Sequence, residues 1–150
     1  MFDSIVPILR KSKLFAGFSP EQLKEVVAHL EPNRLSLKSG AVVYAQGKPA
    51  DRCWLIRSGN LTVMRPSLRK PFRKMIYHVG SVTGIQGLVD PGSPRPVTMI
   101  AEDDVELIEI TQAGITSLDD KAQLLLWRNI SRLLLSKLGT CFAQLAAVGE

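Results

Sequence analysis

Apolar residues recur at two different periods along the chain, and the switches between them divide it into three stretches. Over residues 3–31 the spacing is helical. Ile5, Ile8 and Leu9 share one face of a first helix, with Asp3 or Ser4 as its cap. Ser19, Pro20 and Gln22 open a second helix, supplying an N-cap, a proline at the first helical position and a side chain that reaches back to the cap. Leu23, Val26, Val27 and Leu30 then follow at helical spacing, and Pro32 ends the run. From Arg34 to Ile110 the period drops towards two, in short runs bounded by turn residues. RLSLK, AVVYA, Cys53 to Arg57, the run from Leu61, Phe72 to Val79, Val97 to Ala101 and Val105 to Ile110 read as strands. Ser39-Gly40 and Gln46 to Pro49 interrupt them, and Ser58-Gly59-Asn60 reads as a hairpin turn. This number of short strands predicts a small antiparallel barrel or jelly roll over residues 34–110.

Residues 112–147 return to helical spacing. Thr111 caps a short helix, and Ser117 with Asp120 three residues on forms a capping box for a long one. Along the long helix Leu124, Trp127, Ser131, Leu134, Leu138, Cys141 and Leu145 alternate in steps of three and four, a heptad seam. Leu126, Ile130 and Leu133 form a second apolar edge. One edge suits the barrel. The other predicts a homodimer, with Leu124, Trp127, Leu134, Leu138 and Leu145 at its interface; the alternative is one helix packed only on its own barrel. Gly139, costing on the order of 1 kcal/mol against alanine, points to close helix approach or fraying there. The fold class is α+β: a jelly-roll barrel flanked by N-terminal helices and a long C-terminal helix, one domain over residues 1–150.

Composition narrows the setting. With 150 residues, 45% hydrophobic and 22% charged, the chain has the make-up of one globular domain. No apolar run approaches the ~20 residues of a membrane span, and the N-terminus has no signal pattern. Cys53 and Cys141 lack any partner motif, so free thiols and a cytoplasmic location are expected. The net charge of +5 has one local source, the acid-free segment RPSLRKPFRK at 65–74. A solvated loop between two strands is the plain expectation for it; contact with an acidic partner or a membrane surface is the alternative.

The stretch GSVTGIQGLVDPGSPRPVT, residues 80–98, carries the chemistry. Glycine-rich backbone can bring N–H groups close to an anion, and Arg95, between Pro94 and Pro96, can neutralise a phosphate. Tight turns alone would also explain the glycines. Arg95 could equally pair with Asp90 or stand in solvent. His29 and His78 have no metal-ligand spacing around them, and no nucleophile–base motif is present, so neither a metal nor a catalytic role is expected.

Gly40-x-x-Val43-x-x-Gln46-Gly47, Asp51, Trp54-Leu55-Ile56, Ser58-Gly59, Leu61 and Val63, continued through the glycine-rich stretch to Ala101 and Leu107, resemble the cyclic-nucleotide-binding domain family. The long final helix is similar to that of the catabolite-activator type within it. The resemblance spans about residues 14–145 and implies a barrel whose cassette holds cAMP or cGMP. It implies ligand contacts from Gly84, Ile85, Gln86, Gly87, Arg95 and Val97, with the amides of Gly84 and Gly87 meeting the ligand, Arg95 pairing with the cyclic phosphate, and Ser136 near the purine. Two positions depart from the family pattern. Ile85 stands where a glutamate accepts from the ribose hydroxyl, a loss of ~1–3 kcal/mol. Pro96 stands where a backbone N–H meets the phosphate. The expected function is a non-enzymatic sensor relaying ligand through a dimerising helix. The alternative is a member that has lost the ligand and acts as a dimeric scaffold. Because the chain ends at Glu150 without the winged helix of the family's transcription factors, no direct DNA binding is expected.

Overall fold

The computed structural model describes residues 5–30, 33–64 and 75–148. The Asp3 or Ser4 cap, Pro32 and the basic segment 65–74 lie outside the described residues. The N-terminal part holds α1 (Val6–Lys11), a 3-10 turn at Lys13–Phe15 and α2 (Pro20–Leu30). Ser19 and Gln22 do cap α2 reciprocally: the Ser19 hydroxyl accepts from the Gln22 amide at 3.2 Å, and Gln22 Oε1 accepts from the Ser19 amide at 2.8 Å.

Two antiparallel four-stranded sheets follow. The first runs β1 (Arg34–Leu37), β8 (Val105–Thr111), β3 (Arg52–Ser58), β6 (Val82–Thr83); the second runs β2 (Val42–Tyr44), β7 (Thr98–Ala101), β4 (Leu61–Met64), β5 (Ile76–Tyr77). This is the mixed helix and jelly-roll architecture that the strand pattern predicts. Alternation along β3 explains how the core divides. Cys53 and Leu55 point to the helices, where they join Ile5, Leu9, Leu14, Val26, Ile108 and Leu126. Trp54 and Ile56 point the other way, into a second cluster with Leu61, Met99 and Leu107. Both faces of β3 are covered, which is why Cys53 to Ile56 reads as an unbroken apolar run.

Ser58-Gly59-Asn60 is not a hairpin. β3 pairs with β8 and β6, whereas β4 pairs with β7 and β5, so this turn hands the chain from one sheet to the other. Gly59 has φ +81°, and a Cβ there would overlap the Asp104 carbonyl. Asp103 holds the Asn60 amide at 2.7 Å. Ser117 is likewise not the cap of the long helix. It ends α4 (Gln112–Thr116), its hydroxyl donating to the Gly114 carbonyl. Asp119 caps α5 (Asp120–Val148) instead, accepting from the Ala122 amide at 2.8 Å.

α5 has the two edges seen in the sequence. Leu126 and Ile130 are buried and Leu133 packs partly against the same cluster. Leu124, Leu134, Leu138 and Leu145 are exposed, as are Leu135 and Phe142. Trp127 packs partly against the barrel-side core. A Cβ on Gly139 would meet nothing within 4 Å, so no close approach within the chain explains this glycine.

Candidate ligand-binding site

The cassette between β6 and β7 contains a short helix, α3 (Gln86–Val89), where the sequence offers glycines for an anion cradle or a tight turn and no helical period. Ile85 and Leu88 anchor it in the helix-side core, 3% and 1% exposed. Gly87 is required by packing, because a Cβ there would overlap the Arg52 backbone. Its amide donates to the Gly84 carbonyl at 3.0 Å, and that of Leu88 to the Ile85 carbonyl at 2.9 Å. The expected contact of the Gly87 amide with a ligand is therefore corrected: that donor is already engaged inside the turn. Ile85 and Gln86 are the positions whose amides a first helical turn cannot satisfy.

Downstream, residues 92–95 run along residues 47–50. Gly92 donates to the Ala50 carbonyl, Ala50 to Ser93, Arg95 to Lys48 and Gly47 to Arg95, at 2.7 to 2.9 Å. The Gln86 carboxamide ties the two ends of the cassette together, its Nε2 donating to Ser93 Oγ at 2.8 Å and to the Pro94 carbonyl at 3.2 Å. With its backbone so fixed, Arg95 sends its side chain inward, 3% exposed. Nη1 donates to the Gly84 carbonyl at 2.9 Å and Nη2 to the Arg52 carbonyl at 2.6 Å. The guanidinium lies 4.6 Å from the centroid of the Tyr44 ring and 5.3 Å from that of Trp54, which stack on one another. Arg95 thus neither pairs with Asp90 nor stands in solvent. Among the described residues no carboxylate bonds to it, since Asp51 and Glu109 are both held by Arg52. Burial pulls its pKa down, yet a guanidinium keeps its charge in proteins.

A cavity of about 270 Å³ opens beside this side chain. Gly84, Ile85, Gln86, Val97 and Arg95 line it, as expected from the sequence, together with Pro96, which brings no N–H. Sequence reasoning did not place Tyr44, Tyr77, Thr83, Met99, Leu134 or Lys137 in its walls. Tyr44 and Thr83 face it as a hydroxyl pair 2.8 Å apart, and burial raises the Tyr44 pKa. Leu134 and Lys137 reach it from α5. Lys137 is exposed at the rim, with its pKa lowered by the protein atoms that cover part of it. Two expected residues are elsewhere. Gly87 packs behind the cassette, and Ser136 lines a separate depression with Lys13, Asn129 and Arg132. Lys137 follows Leu134 by three residues, so the α5 spacing held a signal for it; nothing in the sequence marked Tyr44.

The site can hold an anionic group against a buried cation, beside apolar and aromatic walls. Among the described residues no cluster of His, Cys, Asp or Glu could hold a metal, and no helix is long and apolar enough to cross a membrane. Cys53 and Cys141 are free thiols, the first buried with its pKa pushed up to about 12 by desolvation.

Solved structures share this architecture. A cyclic nucleotide-binding domain from Methylobacillus flagellatus is 20% identical with a TM-score of 0.78, the match covering 95% of this chain and 81% of that one. The catabolite activator protein of Thermus thermophilus is 24% identical with a TM-score of 0.77; this chain, 92% covered, spans 63% of its length. The N-terminal domain of a transcriptional regulator from Streptomyces coelicolor A3(2) is 24% identical with a TM-score of 0.71, covering 89% of this chain and 94% of that domain. No curated protein sequence matches the chain. The family model for the cyclic nucleotide-binding domain matches residues 34–121, which hold both sheets and the whole cassette, and the chain belongs to that family of regulatory domains.

Proposed function

We propose that this chain is a non-enzymatic, cytoplasmic sensor that takes the phosphoryl group of a nucleotide, with cAMP and cGMP as the first candidates, against Arg95. The observation that carries this is a guanidinium 3% exposed with no carboxylate bonded to it. Removing a charge from water is costly unless a counter-charge offsets it. Two carbonyls and two ring faces offset part of that cost, and a ligand anion would offset more. Leu134 and Lys137 make α5 a wall of the same cavity, so occupancy would bear on the helix directly. A ligand shifts α5 only by as much as it prefers one arrangement of that helix over another. The exposed apolar edge of α5 would then carry the change to a second copy in a homodimer.

A scaffold that has lost its ligand is the second reading. It is favoured by Ile85, which presents an apolar side chain buried in the core where the family pattern has an acceptor. Isothermal titration with cAMP and cGMP separates the two. The sensor reading expects saturable heat that falls at least tenfold in affinity in Arg95→Ala. No heat at millimolar nucleotide would favour the scaffold.

A further inference from the structure

A second cavity, also about 270 Å³, adjoins the first. The end of α1, the 3-10 turn, the residues between β5 and β6, and α5 form its walls. Lys137 and Tyr77 belong to the linings of both cavities, so the two share one partition. Lys11 and Lys13 line the far side with Lys137, and Ser81 and Tyr77 add hydroxyls; among the described residues no carboxylate lines either cavity. The trough therefore has Arg95 at one end, Lys137 in the middle and two lysines at the other end. Acids in the neighbouring sheet are engaged elsewhere: Glu109 with Arg52, Glu106 with Arg57, and Asp103 with Asn60. These four cations line one concave wall, and a polyanion is the ligand class whose charge complements such a wall.

We infer that the two cavities are one bipartite anion site, and that its ligand is a nucleotide with more than one phosphoryl group, one of them against Arg95 and Lys137 and another against Lys11 and Lys13. This rests on the reading that Arg95 takes a phosphoryl group, and adds a second subsite to it. A dinucleotide and a nucleoside triphosphate both have the required chemistry.

Calorimetric titration of the full chain with cAMP, cyclic diadenylate and ATP tests the inference, alongside Arg95→Ala and the double variant Lys11→Ala, Lys13→Ala. These lysines are exposed, and a thermal melt of the double variant checks that it folds as the parent does. The expected result is that cyclic diadenylate or ATP binds at least tenfold more tightly than cAMP. Whichever is tighter identifies the source of the second phosphoryl group. The double lysine variant should lose that advantage and keep the parent affinity for cAMP. If all three ligands bind equally, or the advantage survives in the double variant, the second subsite is wrong while the Arg95 reading stands. If none of the three binds the parent, both fall.

Discussion

Part of what holds Arg95 does not itself touch the cavity. Gly87 lies against the Arg52 backbone, and the Arg52 carbonyl accepts from Arg95 Nη2 at 2.6 Å. A side chain at 87 would therefore push on the strand that positions the guanidinium. Gly87→Ala should cost about 1–3 kcal/mol through overpacking, or roughly 2–4 °C of melting temperature per kcal/mol for a chain of this size. Nucleotide affinity should fall with it. An unchanged melting curve in this variant would mean that the cassette does not dock on β3 as described. Gly84 differs from Gly87 in facing the cavity: with φ +80°, a Cβ there would come within 3.0 to 3.2 Å of Arg95 Nη1 and the Trp54 ring. The two glycines look alike in the sequence and serve opposite sides of the same turn.

At the scale of elements, α5 is fastened to the N-terminal segment by one buried polar side chain. Asn129, 2% exposed, donates through Nδ2 to the Leu14 and Ala16 carbonyls at 2.8 and 2.9 Å. Asn129→Ala would leave these carbonyls without that donor, at about 1–3 kcal/mol, and amide hydrogen exchange over residues 12–18 should speed up before the strands do. Uniform acceleration across the barrel would contradict this local role. Most strands of the two sheets were legible because alternation and turn residues are a local signal, whereas β6, two residues long, was not; the Ser19–Gln22 cap was legible because its chemistry is confined to four positions. α3 was not legible, since a helix of four residues containing a glycine leaves no period to detect. The turn at Ser58-Gly59-Asn60 announced a reversal correctly but not which strands pair, because that is decided by β8 inserting between β1 and β3. In the site, the cassette residues were readable from their order. Tyr44 and Tyr77 were not, because the cavity is assembled from five separated segments.

For the whole molecule, the exposed edge of α5 is the feature the monomer leaves unexplained. Leu134, Leu138 and Leu145 are 40%, 50% and 67% exposed, on a helix whose other edge is already buried in the core. A homodimer that covers this edge predicts twice the chain mass by sedimentation equilibrium at micromolar protein. Leu138→Glu should return it to one chain mass with the barrel intact by circular dichroism, because Leu138 makes no part of either core cluster. A parent protein of single chain mass would instead make the edge plain surface. Leu134 also lines the cavity beside Arg95, so in such a dimer the covered edge and the cavity wall would meet within one turn of α5. The most direct test of the central claim is a crystal structure of the protein grown with millimolar cAMP. The account predicts a phosphoryl group within hydrogen-bonding distance of the Arg95 guanidinium, with Leu134 and Lys137 of α5 closing over the ligand. Nucleotide density elsewhere, or an Arg95 still bonded only to the Gly84 and Arg52 carbonyls beside an empty cavity, would contradict it.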